Sequence, residues 1–243
     1  MFKQLISRFV AAGILLTVFF CSCTKENTPR LPALGLADSS ETKPWLDSTN
    51  FGVYKGVLTG ETGRIKIYFR NGDTIMKAHL TIDSLEDDLV CTELFQIGQP
   101  VVAAQFTGTR SSFNFTVDET GLQASLDNIL VDGRINVYGV VAHESTSNLV
   151  YCYESKFTGG QRGQFNFIRY MGNLAQGLAR TENDDTFFGK GLVTGDAFKL
   201  TLHGPLGAVR IFQGGIEGTG DYFSGSWQET TPISGVFNGV RTQ

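Results

Sequence analysis

The stretch Arg64-Ile65-Lys66-Ile67-Tyr68-Phe69-Arg70-Asn71-Gly72-Asp73 decides the class of fold. Ile65, Ile67 and Phe69 alternate with Lys66, Tyr68 and Arg70, so one face is apolar and the other polar, which is the period-two pattern of a half-buried strand. Asn71 and Gly72 tolerate the positive φ of a tight hairpin. Ala78, Leu80 and Ile82 then resume the alternation against His79, Thr81 and Asp83.

Outward from this hairpin the same pattern recurs at Phe113 to Val117 and at 134–141, 150–157, 164–170, 197–203, 209–212 and 222–227. Aromatic and β-branched residues dominate these runs, and the 29 glycines read as punctuation between them. Helical spacing is not sustained anywhere; 84–94 and 173–180 are ambiguous. An aromatic–polar–Gly step repeats: Tyr54-Lys55-Gly56 leads into Ile65 and Ile67, Phe106-Thr107-Gly108 into Phe113 and Phe115, and Phe157-Thr158-Gly159 into Phe165 and Phe167. We read this as recurrent hairpin geometry, because the signature residues of common blade repeats are absent. The expected fold is therefore all-β, an antiparallel meander over residues 51–243 closed into a barrel or folded into a two-sheet sandwich, which hides the edges of so many strands.

The N-terminus follows a different logic. Lys3 and Arg8 precede a run of about 12 apolar or small residues from Phe9 to Phe20, the layout of a secretory signal and too short for a membrane span. The segment Phe20-Cys21-Ser22-Cys23 resembles the lipobox of bacterial lipoproteins, with the small Ser22 directly before Cys23. The resemblance covers residues 1–23 and implies cleavage after residue 22, a diacylglyceryl thioether on Cys23 and an acylated new N-terminus. It also implies a lipid-anchored cell-envelope location, most naturally the outer membrane, facing the periplasm or the cell surface. Residues 23–50 carry Pro29, Pro32 and Pro44 among polar residues and read as a disordered tether, with Leu31, Leu34, Leu36 and Trp45 as apolar exceptions able to dock.

Without residues 1–22 the chain keeps 18 basic against 24 acidic residues, a formal charge of −6, which disfavours nucleic acid and anionic surfaces as partners. Two thiols besides Cys23 remain, Cys91 and Cys152, each upstream of a Phe-Thr-Gly step. An exported compartment permits a disulfide between them, worth roughly 4 kcal/mol for a loop of about 60 residues in the chain-entropy model; two separate buried thiols are the alternative.

Chemistry is sparse. His79, His143 and His203 are scattered, no catalytic, metal or cofactor constellation can be assembled, and the acidic clusters 86–88 and 182–185 read as solvated turns. Tyr151 and Tyr153 share a strand face and, with Trp227, are the weak candidates for ligand contact; each also suits a core. The expected function is a non-catalytic binding or accessory lipoprotein of the envelope that takes a glycan, an apolar ligand or an envelope protein. A structural or adhesive component is the alternative, and an enzyme acting on glycans ranks below both.

Overall fold

Among the described residues the alternating runs form sixteen strands arranged in two consecutive antiparallel meanders. The structure, a computed structural model, describes residues 36, 38–218, 220–230 and 232–243. Cys23 and the signal segment lie outside the described residues.

The first sheet contains β1 (Gly52–Leu58), β2 (Arg64–Phe69), β3 (Met76–Ile82), β4 (Leu85–Cys91), β5 (Val101–Thr107), β6 (Ser111–Val117), β7 (Ser125–Val131) and β8 (Gly139–Glu144). Its order is β7-β6-β5-β4-β3-β2-β1-β8, with β7 and β8 in contact but not paired, so the sheet curls almost to closure. Ile65, Ile67, Phe69, Phe106, Phe113 and Phe115 fill its concave side. β4 corrects the reading of 86–88 as a turn. Asp87 is buried there, and its carboxylate accepts from the backbone of Thr109 (3.2 Å) and Arg110 (2.8 Å). That bond and Glu93, which accepts from Gln105 N at 2.8 Å, bridge a stretch where β4 and β5 share a single register pair, Val90 with Thr107.

The second meander closes completely: β9 (Tyr151–Gly159), β10 (Gly163–Tyr170), β11 (Leu174–Thr181), β12 (Thr186–Thr194), β13 (Ala197–His203), β14 (Val209–Glu217), β15 (Tyr222–Glu229) and β16 (Ser234–Arg241), with β16 returning to β9. An eight-stranded barrel is just wide enough for side chains to fill. Here the filling is aromatic. Phe165 lies 4.0 Å from Phe212 ring to ring, 5.4 Å from Phe237 and 5.5 Å from Phe167. Inward glycines make the room: a Cβ on Gly239 would sit 2.4 Å from the Phe223 ring, and one on Gly235 would sit 2.5 Å from Trp227 Nε1. Many glycines are thus strand interior, not punctuation. Both ambiguous segments are strands, β4 and β11, and 134–138 stands outside β8.

Residues 38–50, read as tether from the sequence, are folded against the first sheet. Leu46 is buried in the 3-10 turn Pro44–Leu46, while the neighbouring Trp45 is exposed. Asn50 is fully buried; its Nδ2 donates to the carbonyls of Gln96 and Gln99 and its Oδ1 accepts from Gly98 N. Satisfying those loop carbonyls is a job for a polar side chain, which is why hydrophobic periodicity gives no sign of it.

Candidate functional site

The two meanders meet along β1 and β8 on one side and β9, β10 and β11 on the other. Every residue of β1 is buried, because Tyr54 and Leu58 face the first core while Val57 faces the barrel. Val140, Ala142, Cys152, Ile168 and Leu178 complete that apolar seam. Asn166 pins it: its Nδ2 donates to Leu58 O at 2.8 Å and Gly60 O at 3.3 Å, and its Oδ1 accepts from Ser155 N at 3.2 Å.

A charged layer runs beside the apolar one. Lys55 Nζ lies 2.6 Å from Glu144 and 3.3 Å from Glu41, both nitrogen and Glu144 being removed from solvent. Lys66 Nζ and the Tyr68 hydroxyl donate to Glu41, each at 2.7 Å. Burial by itself would raise the Glu41 pKa. Hydrogen bonds from Lys66 and Tyr68 and the charges of Lys66 and Lys55 outweigh it and hold the carboxyl near 2.

Glu154 shows the opposite balance. Burial lifts it to about 7, since only the Arg64 charge (3.8 Å) and the Thr242 hydroxyl (3.2 Å) oppose desolvation. A folded pKa above the unfolded value of about 4.5 gives stability that is full below that value and is lost as pH rises through 7. Glu154→Gln is therefore expected to leave the urea midpoint unchanged near pH 5 and to raise it near pH 9, by up to about 3 kcal/mol for a shift of this size. Equal midpoint shifts at both pH values would contradict this account of the seam.

A cleft opens at each end of the β9–β10 hairpin. At the turn end, a cleft of about 620 Å³ is lined by Glu61, Asp83, Arg134, Lys156, Arg162 and Arg180, among others. Its charges are largely matched: Lys156 with Glu61 at 2.9 Å, Arg134 with Asp83 at 2.9 Å and Arg180 with Asp184 at 2.9 Å. Asp83 is held below its usual pKa, because hydrogen bonds from Arg134 and Glu61 N and the nearby guanidinium groups outweigh its burial. At the open end, a cleft of about 500 Å³ lies between residues 38–40, the loop 146–149 and the barrel rim at Tyr151, Arg169 and Gly172.

The residues singled out in the sequence are dispersed. Cys91 is a free thiol of the first core and Cys152 a free thiol of the seam, both raised in pKa chiefly by burial, which is the arrangement of two separate buried thiols that stood as the alternative to the candidate disulfide. Their strands serve different layers, which strand position alone does not reveal. Tyr153 and Trp227 are core residues inside the barrel; Tyr153 stacks on Phe167, and Trp227 Nε1 donates to Thr158 O at 3.1 Å. Both are out of a ligand's reach. Tyr151, on the same face of β9, emerges at the rim and lines the second cleft, where its ring meets the guanidiniums of Arg241 (5.1 Å) and Arg169 (5.9 Å). His79 pairs with Asp88 on the outer face of the first sheet, and His143 is held down to about 4 by burial. Among the described residues no group of His, Cys, Asp and Glu is arranged to hold a metal ion.

No family model matches the chain. The search of curated proteins likewise found no match. Among solved structures, a variant of the vaccine antigen transferrin binding protein B from Actinobacillus pleuropneumoniae H49 aligns over 78% of this chain and 98% of its own, with 11% identity and a TM-score of 0.32. A crystal structure described as a surface lipoprotein aligns over the same shares, with 10% identity and a TM-score of 0.31.

Proposed function

We propose that this chain is a non-catalytic, lipid-anchored envelope protein that binds through its outer surface and not through a barrel cavity. The observation that carries the reading is the filled interior of both meanders. Phe165, Phe167, Phe212, Phe223 and Phe237 occupy the closed barrel ring against ring, and Phe69, Phe106, Phe113 and Phe115 do the same under the first sheet. An apolar ligand has no room there, so recognition falls to the clefts and faces outside. The three-part signal layout and the lipobox-like Cys23 support the anchor, since several buried acyl chains hold a protein stably where an acidic domain has no affinity of its own.

Cys23→Ala is expected to move the protein from the membrane fraction to the soluble one, and intact mass of the wild type to include the lipid. The purified domain is expected to show no saturable uptake of a fluorescent fatty acid. A photo-crosslinking residue at Arg162, in the charged cleft, is expected to give a discrete adduct in intact cells that one at the fully exposed Leu206 does not. Saturable fatty-acid binding would overturn the surface reading. A Cys23→Ala protein that stays on membranes through a high-salt wash would overturn the anchor.

A further inference from the structure

The cleft at the open end of the β9–β10 hairpin differs from the charged one in what it offers. Its walls are hydroxyl and amide side chains, Ser39, Ser147 and Asn148, with the Tyr151 ring and the Arg169 guanidinium at the barrel rim. The walls are fixed before any ligand arrives. The Asp47 carboxylate binds both the backbone N–H and the hydroxyl of Thr146, and Ser145 and Asn148 exchange backbone hydrogen bonds, which ties the loop 145–148 to the docked N-terminal segment.

Arg169 is the cation of this cleft that has no carboxylate partner among the described residues. Its Nε donates to Gly172 O at 2.9 Å, and its terminal nitrogens have no hydrogen-bond partner among the described residues. Arg241, by contrast, is spent on Asp38 at 3.0 Å and Asp221 at 3.4 Å. The Tyr151 hydroxyl likewise makes no hydrogen bond to a described residue, and Ser39 offers another open hydroxyl. The Ser147 hydroxyl accepts from Asn148 Nδ2 at 3.1 Å, which holds both side chains in place, and a planar fork suited to a carboxylate beside such polar side chains points to an acidic, hydroxyl-rich ligand.

We propose that this cleft binds a carboxylated saccharide, with Arg169 and the Tyr151 hydroxyl receiving the carboxylate and Ser39, Ser147 and Asn148 facing the ring hydroxyls. The volume of about 500 Å³ falls in the ordinary range of small-molecule sites, and a pre-formed wall lowers the ordering cost of binding. Asp38 is the opposing charge: its carboxylate lines the same cleft and is balanced by Arg241. The site shares no lining residue with the charged cleft and does not depend on the anchor.

The test uses the complete folded protein titrated with galacturonic acid, and in parallel with galactose, acetate and a glutamate-terminated peptide, by calorimetry. Galacturonic acid is expected to bind saturably, at least about tenfold more tightly than galactose or acetate, a difference of about 1.4 kcal/mol. Arg169→Gln is expected to erase that preference, Tyr151→Phe to weaken it with the rim intact, and Asp38→Asn to strengthen binding. Far-UV spectra and melts that match the wild type confirm that each variant is folded. Absence of saturable binding, equal affinity for galactose, unchanged affinity in Arg169→Gln, or tighter binding of the peptide would each overturn the proposal.

Discussion

Replacing Lys55 with methionine is expected to destabilise the protein by about 3–5 kcal/mol, the cost of stranding a buried carboxylate. Lys55 sits in the seam between the two meanders with its ammonium 2.6 Å from Glu144, and both are almost entirely removed from water. Glu144 also accepts from Glu41 N at 2.9 Å, so it is held in place and cannot swing to solvent. Methionine matches the lysine stem in length, which confines the change to the lost charge and hydrogen bonds. The double variant Lys55→Met, Glu144→Gln is expected to recover much of the loss, because the remaining group carries no charge to desolvate. Urea midpoints of the single and double variants measure this. A single-variant loss below about 1 kcal/mol would mean that the pair is solvated in solution.

Phe165→Ala is expected to cost about 3–5 kcal/mol and to act first on the barrel. The ring is fully buried with Phe167, Phe212 and Phe237 around it, so its removal leaves a void that flanking backbone glycines cannot fill. The chain has two tryptophans, and they separate the measurements cleanly. Trp227 lies in the barrel and Trp45 is exposed in the 3-10 turn before the first sheet, so in a Trp45→Phe background fluorescence reports the barrel alone. The Trp227 transition is expected to shift to lower urea. An unchanged transition would contradict a close-packed barrel.

The strands visible in the sequence are those with one wet face. β2, β6 and the first half of β10 alternate because solvent lies on one side of them or because polar seam residues mimic it. β1 reads as Gly-Val-Tyr-Lys-Gly-Val-Leu with no alternation, since the barrel covers the face that water would otherwise wet. The division into two meanders was equally hidden, because seam residues such as Val57, Val140 and Ile168 are of the same kinds as core residues. Glycines misled in the other direction. Positions such as Gly225 and Gly239 lie mid-strand, where a side chain would collide with neighbouring backbone and a phenylalanine ring. Of the three ligand-contact candidates, Tyr151 alone lines a cleft; its neighbours there, Ser39, Ser147 and Arg169, come from separate segments, and no spacing rule links them.

The long-range strand pairings of the two meanders set the order in which the protein can fold. Neighbouring strands are joined by short turns, so most pairing is local and fast, but β1 must find β8 and β9 must find β16 across about 85 and about 80 residues respectively, and non-local pairings of that kind are the slow steps. They are also ordered in consequence. A first meander that pairs β1 with β8 before β9 to β11 exist displays Val57, Val140 and Ala142 as a bare apolar strip. During synthesis from the N-terminus onward, that strip is the aggregation hazard, and it persists until the barrel arrives to cover it.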